Sequence, residues 1–165
     1  MTTRRLLVRP LSLADYADFA ALERDFEVKK FFGGPVAVSQ DCFAHLVTQQ
    51  SEACLAVCAK EDARFVGRCG FRLVGDRVKL EIFLSRAEQE HRFGPELFEE
   101  MLSHCRSRYP AAKIAATVSP GNLRATKLLD SHQFVEFAKL QYESGKPVLD
   151  AALEGARRGS TREAG

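Results

Sequence analysis

The chain has 165 residues, of which 45% are hydrophobic and 28% are charged, a composition typical of one globular domain rather than of a fibrous or disordered protein. Its net charge of +2 is too small to indicate a nucleic-acid-binding protein, and its apolar runs are too short to cross a membrane. The N-terminal sequence MTTRRLLVRP lacks the apolar core of a signal peptide, so we expect a cytoplasmic protein.

The five cysteines support this location, because an odd number embedded in apolar patterns indicates reduced core thiols rather than a disulfide framework. Cys54 and Cys58 lie in ACLAVCAK, which has the pattern of a strand. Four residues along a strand separate two side chains by roughly 13 Å, too far for one metal ion or one disulfide. We therefore expect no metal site.

The first predicted elements are a strand and a helix. RLLVRPL at 5–11 has the pattern of a strand, and Ser12 followed by Asp15 three residues later predicts a capped helix with a buried apolar stripe. The segment from Asp25 to Val38 contains Phe31-Phe32-Gly33-Gly34-Pro35, and we expect it to be an irregular apolar loop.

A second helix is predicted after Ser39, with Phe43 on its buried face. Two strands joined as a hairpin come next, at 54–60 and 65–74. Gly75-Asp76 then turns the chain into the fourth predicted strand, which ends at Leu84.

The segment from Glu81 to Glu96, EIFLSRAEQEHRFGPE, is the most informative part of the chain. Its strand passes into a polar loop, and a helical pattern follows Gly94-Pro95 immediately, which places proline at the first helical position. The first N–H groups of a helix have no internal partner, and the helix dipole adds partial positive charge there. The segment therefore predicts a cradle for an anion.

The C-terminal part continues with alternating helices and strands. The remaining predicted elements are a helix from Glu96 to near Tyr109, a strand at 114–118, a helix through Leu128 and Leu129, and two strands at 134–142 and 147–151 joined as a hairpin around Ser144-Gly145. The last residues have nothing to bury, so we expect a domain at 1–154 and a mobile tail at 155–165. This order of elements is typical of an α+β or mixed α/β sheet.

The Glu81–Glu96 segment resembles the acetyl-CoA segment of the GNAT acetyltransferases, a strand followed by Q/R-x-x-G-x-G/A. Gln89 falls on the first motif position and Gly94 on the last, while Arg92 occupies the place of the middle glycine. The opening RLLVRPLSLADYADFAAL resembles the ribosomal-protein N-terminal acetyltransferase branch of that family, and FVGRCGF resembles its central strand. NLRATKLLDSHQF is similar to N-x-x-S/A-x-x-L-x-x-x-x-G-F, with matches at Asn122, Ala125, Leu128 and Phe134.

The resemblance implies a GNAT-like fold of class α/β (α+β). We expect one mixed, mostly antiparallel sheet of about seven strands, splayed at strands 4 and 5, with helices on both faces. In the family, the open backbone of that splay pairs with the amides of pantetheine, and the loop before the helix faces the pyrophosphate. The residues that the resemblance implies for cofactor binding are Ile82, Phe83, Leu84, Gln89, Arg92, Phe93, Gly94, Pro95, Glu96 and Asn122.

Glu81 is the candidate general base, because a carboxylate at this strand position acts through water in some members of the family. The alternative is an ordinary ion pair with a lysine, since Glu81 alternates with Lys79 on one face of the strand. Asn122 has an alternative role as the N-cap of its helix, which is compatible with a place beside the cofactor.

The sequence departs from the family pattern at four places. Glu90 and Arg92 replace glycines of the loop, Leu129 stands where many relatives carry a tyrosine general acid, and Gln133 replaces the glycine before Phe134. Arg92 can compensate for the lost glycine with a charge-assisted hydrogen bond to a CoA phosphate. The alternative is erosion, in which Arg92 crowds a loop that no longer needs CoA.

Two functions follow from the resemblance. The first is an acetyl-CoA-dependent N-acetyltransferase that uses acetyl-CoA as co-substrate and transfers acetyl by direct attack of a primary amine, either a protein N-terminus or a small molecule. The second is a non-catalytic acyl-CoA-binding or partner-binding module. We expect the partners to be a small-molecule or peptide amine, with no nucleic acid and no membrane, and the resemblance allows a homodimer. The choice of amine is expected to depend on the Asp25–Val38 loop and the closing hairpin.

Overall fold

The computed structural model describes residues 1–119, 121–141 and 147–153, with backbones only for the last two strands. Within these residues, one sheet of seven strands runs in the order β1-β2-β3-β4-β5-β7-β6. Neighbouring strands are antiparallel except β4 and β5, which are parallel. The expected mixed, mostly antiparallel sheet is therefore confirmed.

The strands and helices follow the predicted order. The strands are β1 (Leu6–Pro10), β2 (Leu55–Ala59), β3 (Phe65–Val74), β4 (Arg77–Leu84), β5 (Lys113–Val118), β6 (Val135–Gln141) and β7 (Pro147–Leu153). The helices are α1 (Tyr16–Arg24), α2 (Phe26–Lys29), α3 (Gln40–Gln49), α4 (Phe93–Arg108) and α5 (Leu123–Ser131). Short 3-10 turns at Leu13–Asp15 and Arg86–His91 precede α1 and α4.

Two of the predicted boundaries were wrong. The Asp25–Val38 segment is not irregular throughout, because the Asp25 carboxylate accepts hydrogen bonds from the N–H groups of Glu27 and Val28 and starts α2. Helix α4 begins at Phe93 rather than at Glu96, so Pro95 occupies its third position. The N–H groups of the first helical turn have no partner within the helix, so a proline there removes no helical hydrogen bond.

Helices cover both faces of the sheet. Alternate strand residues such as Leu80 and Leu84 pack against the apolar side of α4 in the main core. Smaller clusters on the other face join Ala56 and Phe83 to α1, α2 and α3. Because strand side chains alternate between faces, β4 presents Phe83 to one layer of helices and Leu84 to the other.

Strands β4 and β5 are paired over only half of β4. Parallel pairing runs from Arg77 opposite Lys113 to Leu80 opposite Ala116, and the structure gives no pairing with β5 for residues 81–84. The expected splay is confirmed, and it opens after Leu80.

Gly67 explains how the end of β4 stays close to β3 while it leaves β5. Gly67 lies opposite Leu84, and a Cβ atom there would lie 2.2 Å from the carbonyl oxygen of Phe83. The Ser85 N–H also donates to the Val66 carbonyl at 2.9 Å. The missing side chain therefore permits the close approach that holds the open end of β4 against β3.

The hairpin turn expected at Ser144-Gly145 and the tail expected at 155–165 lie outside the described residues. Among the residues that the structure describes, no helix is both long enough and apolar enough to cross a membrane.

Candidate functional site

A cavity of about 530 Å³ lies where β4 leaves β5, and we call it the cleft. Four segments form its wall: α2 with the residues after it, the end of β4, the 3-10 turn before α4, and the start of α5. The wall residues are Glu27, Val28, Lys30, Phe31, Phe32, Ile82, Phe83, Leu84, Arg86, Gln89, Glu90, Gly121, Asn122, Leu123 and Arg124.

The structure brings part of the predicted cofactor set together. Ile82, Phe83, Leu84, Gln89 and Asn122 all line the cleft. The other predicted residues do not belong to its wall; these are Glu81, Arg92, Phe93, Gly94, Pro95 and Glu96.

Gln89 links the two sides of the cleft. Its side-chain Nε2 donates to the carbonyl oxygen of Leu84 at 3.3 Å, and its Oε1 accepts from Arg124 Nη1 at 3.2 Å. Leu84 belongs to the open half of β4, and Arg124 lies in the first turn of α5. The Arg124 guanidinium, which sequence reasoning did not single out, therefore lies beside a predicted cofactor residue.

Asn122 has the capping role that was left open for it. Its side-chain oxygen accepts from the Ala125 N–H at 3.2 Å, at the start of α5. A side chain that caps one end of a helix is held in one orientation by that bond. Asn122 also lines the cleft, so the two roles are compatible in this structure.

Aromatic side chains of the Asp25–Val38 segment cover one side of the cleft. The Phe32 ring packs edge-on against Phe83, with centroids 4.7 Å apart. A Cβ atom at Gly121 would lie 3.1 Å from the Phe31 ring, so Phe31 lies against the backbone that precedes α5. The FFGGP pattern predicted that this segment is apolar. It did not indicate that Phe32 would contact Phe83 and that Phe31 would lie beside Gly121.

A cluster of three buried charges, Glu23, Lys29 and Arg68, packs against the ring of Phe83. The Glu23 carboxylate binds Lys29 Nζ at 2.8 Å and Arg68 Nε at 2.6 Å, and all three side chains are almost inaccessible. Both cations lie over the Phe83 ring, each 4.2 Å from its centroid. Burial raises the pKa of Glu23, but the charges and hydrogen bonds of Arg68 and Lys29 outweigh it and hold that pKa below its usual value.

Glu81 lies at the edge of this cluster, outside the wall of the cleft. Its carboxylate is 3.4 Å from Arg68 Nη1 and 3.6 Å from Arg72 Nη2, and its side chain remains 41% exposed. Two arginines of β3 are therefore its partners among the described residues.

The loop before α4 is held by Arg5. Arg92, which stands for the middle glycine of the predicted motif, has φ 57° and ψ 30°, the left-handed conformation that glycine adopts most easily. Glu96, in the first turn of α4, accepts from the Arg5 N–H at 2.9 Å and from Arg5 Nε at 2.7 Å, and also from the Thr3 hydroxyl. Burial raises the pKa of Glu96, but these hydrogen bonds outweigh it and lower the pKa to about 2.

The wall of the cleft combines backbone groups that β5 leaves open with charged side chains of both signs. Residues 81–84 of β4 have backbone groups that β5 does not use, and such groups pair readily with amides. Lys30, Arg86 and Arg124 add cations to the wall, and Glu27, which binds Lys30 at 2.6 Å, and Glu90 add carboxylates. The first N–H groups of α4 follow a short distance along the chain and suit phosphate oxygens.

Comparison with protein families gives one match. A family model described as the acetyltransferase (GNAT) domain matches residues 5–135 of the chain. No curated protein sequence matches the chain significantly.

Solved structures with the same fold include several acetyltransferases. The GNAT-family acetyltransferase from Bacillus anthracis has a TM-score of 0.79 at 14% identity, over 93% of this chain and 96% of that one. Spermidine N-acetyltransferase from Vibrio cholerae, in complex with CoA and spermine, has a TM-score of 0.78 at 17% identity, over 90% and 95%. An acetyltransferase of the family from Streptococcus pneumoniae has a TM-score of 0.70 at 18% identity, over 90% and 98%. At these identities the likeness concerns the fold.

Proposed function

Because the chain belongs to the acetyltransferase (GNAT) domain family, we propose that it is an acetyl-CoA-dependent N-acetyltransferase that moves an acetyl group to a primary amine. Members of this family use acyl-CoA. The observation that carries the proposal is the cleft of about 530 Å³ at the splay, which is lined by residues 82–84 of β4, where β5 no longer pairs with it, and by Gln89 and Asn122.

Acetyl-CoA would supply the thioester acetyl group, and the chain supplies the surfaces that align it. The backbone of residues 81–84 would hold the pantetheine arm. Gln89, bound to the Leu84 carbonyl oxygen, would line one end of this edge, and Asn122 would line the wall at the start of α5. The backbone N–H groups of Arg92, Phe93, Gly94 and Glu96 would face the pyrophosphate, while Pro95 has no N–H to offer.

The reaction exchanges one bond for another. The amine nitrogen forms a C–N bond to the acetyl carbon, the C–S bond breaks, the nitrogen loses a proton, and the leaving sulfur gains one. We assign the removal of the amine proton to the Glu81 carboxylate, acting through water, because Glu81 is half-exposed at the open end of β4. Leu129, which replaces the tyrosine of many relatives, is buried in the core and has no proton to donate.

A non-catalytic acyl-CoA-binding module is the second candidate. Two observations favour it: Leu129 is apolar, and both arginine contacts of Glu81 engage the carboxylate that the reaction needs. Such a module would bind CoA in the cleft and release no thiol.

The amine acceptor is proposed at the class level. The segment with Phe31 and Phe32 forms the wall nearest α2, and we assign acceptor choice to it. Peptides with a free N-terminus follow from the resemblance to the ribosomal-protein branch. Polyamines belong in the same panel because one structural neighbour is a spermidine N-acetyltransferase.

A cytoplasmic location is also part of this proposal. Cys58, Cys69 and Cys105 are buried as free thiols, and such thiols persist in a reducing compartment.

Thiol release from acetyl-CoA, measured against a panel of N-terminal peptides, polyamines and small amines, tests the enzyme proposal. A heat-denatured sample measures background hydrolysis. Release that depends on one amine class supports the enzyme and names its acceptor. CoA binding without release above background supports the module, and no CoA binding contradicts both.

For Glu81 we expect that Glu81→Gln lowers kcat by about ten- to ten-thousand-fold and leaves acetyl-CoA binding nearly intact, because only proton transfer is lost. Steady-state kinetics with calorimetric titration of CoA measure the two effects. Asp76→Asn is the matched control, because Asp76 is an exposed carboxylate at the other end of β4. An unchanged kcat for Glu81→Gln would return Glu81 to a purely structural ion pair.

A further inference from the structure

Arg5 makes an unusual set of contacts for a residue at the start of β1. Its guanidinium donates to the carbonyl oxygen of His91 at 3.0 Å, and a longer contact of 3.4 Å reaches that of Arg92. Its Nε binds Glu96 at 2.7 Å, and its guanidinium carbon lies 4.7 Å from the centroid of the Phe93 ring. One side chain thus touches the end of the 3-10 turn, the residue before α4, and both Phe93 and Glu96 in the first turn of α4.

These contacts orient two peptide units. In a trans peptide the C=O and the N–H of the next residue point in opposite directions. Because the carbonyls of His91 and Arg92 turn towards Arg5, the N–H groups of Arg92 and Phe93 turn away from it. Successive N–H groups that converge around a left-handed residue form a concave anion-binding nest.

Arg92 is the left-handed residue of this nest, and it holds that conformation without the freedom of a glycine. A non-glycine residue in the left-handed region carries a local cost that the surroundings must offset. The two carbonyl contacts from Arg5 hold the peptides on both sides of the Arg92 Cα. Arg5 therefore helps to keep Arg92 in the left-handed conformation, which a non-glycine residue would otherwise tend to leave.

Glu96 keeps Arg5 in place. Its carboxylate accepts from both the backbone N–H and Nε of Arg5, and its low pKa keeps it charged at neutral pH. The same contacts neutralise a carboxylate that would otherwise stand next to the N–H groups of the first turn. An anion at the nest therefore meets less repulsion from Glu96 than its position in the sequence suggests.

We propose that Arg5 is a positioning residue that shapes the Arg92–Gly94 backbone for the pyrophosphate of CoA, without touching the phosphates itself. This inference rests on the proposed function, because it concerns the donor site of that reaction. A purely structural role is the competing explanation, in which Arg5 only fastens α4 to β1.

Two acetyl donors separate these explanations, since S-acetylpantetheine carries the thioester and the pantetheine arm but no phosphate. For Arg5→Gln we expect kcat/KM with acetyl-CoA to fall roughly tenfold, mainly through KM, as for the loss of an oriented hydrogen-bonding site. With S-acetylpantetheine, kcat/KM should stay within about twofold of the wild-type value, because no phosphate interaction exists to lose. Arg5→Lys, which keeps the charge but not the fork of donors, should recover part of the acetyl-CoA loss.

Arg4→Gln is the matched control for charge. Arg4 is an exposed neighbour on the same strand end, so its removal changes the net charge equally and should change kcat/KM for neither donor. Thermal unfolding of each variant shows whether it is folded at the assay temperature. If Arg5→Gln is not folded, Arg5→Lys carries the comparison between donors.

The outcomes are distinct. A wild-type protein that neither binds CoA nor releases thiol contradicts the proposed function itself. A wild-type protein that works while Arg5 variants lose both donors equally shows a structural role, and variants that lose neither show that Arg5 is unnecessary. Only a loss confined to the phosphate-bearing donor supports the positioning role.

Discussion

Two carboxylates on opposite faces of the sheet, Glu23 and Glu96, join structural elements near the cleft, and they differ in their exposure to solvent. Glu23 lies under Phe83 with an exposed side-chain fraction of 8%, bound to two buried cations, Lys29 and Arg68. Glu96 lies at the start of α4 with an exposed fraction of 20%, bound to Arg5, which is 37% exposed. The first joins α1, α2 and β3, and the second joins β1 to α4.

This difference in exposure predicts how much stability each region loses when one charged partner is removed. Removing one member of a buried charge cluster leaves the others without solvation, which costs far more than the cluster contributes over an apolar alternative. A pair with partial access to water loses less, because solvent replaces part of the interaction. We therefore expect substitutions at Glu23 to lower the stability of the fold strongly and substitutions at Glu96 to lower it less.

The largest effect is expected for Glu23→Gln. The substitution keeps the shape of the side chain but takes from buried Lys29 its carboxylate and leaves Arg68 only the longer contact with Glu81, so we expect a loss of about 3–5 kcal/mol of unfolding free energy. Urea unfolding followed by circular dichroism measures it. The control is Glu27→Gln, an exposed partner of Lys30 nearby, which should change stability by at most about 0.5 kcal/mol. Equal losses in both variants would remove the distinction between the two regions.

Gly67→Ala tests the close approach of β3 to the end of β4, next to the cleft. The added Cβ would lie 2.2 Å from the Phe83 carbonyl oxygen, so the end of β4 must move, and we expect a loss of about 1–3 kcal/mol of stability. CoA binding should weaken in parallel, because residues 81–84 form the open edge of the cleft. In contrast, a Cβ at Gly94 has no neighbour closer than 3.8 Å, so Gly94→Ala serves as the stability control. A fully stable Gly67→Ala protein would contradict the role of the close approach.

The third effect is a pH dependence centred on Glu96. The folded pKa of about 2 lies below the ordinary value of 4.5, so this group stabilises the fold fully above about pH 4.5 and loses its contribution as the pH falls towards 2. Glu96→Gln should cost about 1–2 kcal/mol near pH 7, a charged hydrogen bond reduced by partial exposure. The difference between wild type and variant should shrink below pH 4.5.

Unfolding free energies at a series of pH values measure this dependence. Glu99→Gln on the same helix is the control, since that side chain is 70% exposed and its replacement should change stability by at most about 0.5 kcal/mol near pH 7. A Glu96 difference that grows as the pH falls would have the wrong sign for a lowered pKa.

The smallest effect is expected at Arg92. Arg92→Gly should stabilise the protein by about 0.5–1 kcal/mol, because glycine adopts φ 57° without the cost that a Cβ imposes, whereas Arg92→Ala keeps that cost. Urea unfolding compares the two variants. Equal stabilities would show that the left-handed conformation is not strained.

Calorimetric titration of CoA into the same two proteins separates the functional alternatives for Arg92. Charge compensation predicts that Arg92→Ala weakens CoA binding by about 1–3 kcal/mol, with a smaller loss at high salt. Tighter binding by Arg92→Gly would favour erosion instead.

The sequence was sufficient for the elements whose signals are local. Ser39 caps α3, Asn122 caps α5, and the alternation in 77–84 predicted β4. The start of α4 was misjudged because Gly94-Pro95 suggested a later boundary, although proline is tolerated anywhere in the first turn. Helix α2 was missed because four residues are too few for a periodic pattern, and its start depends on the Asp25 cap.

By itself, then, the amino-acid sequence determined the order of the elements, and its resemblance to a family implied the splay between β4 and β5 and part of the cleft wall: Ile82, Phe83, Leu84, Gln89 and Asn122. Only the tertiary structure decided which charges meet. Glu23 finds Arg68 45 residues away, and Arg5 finds Glu96 91 residues away. No periodic pattern records such pairs, since they form only when distant segments pack together and exclude the water that would otherwise solvate each charge.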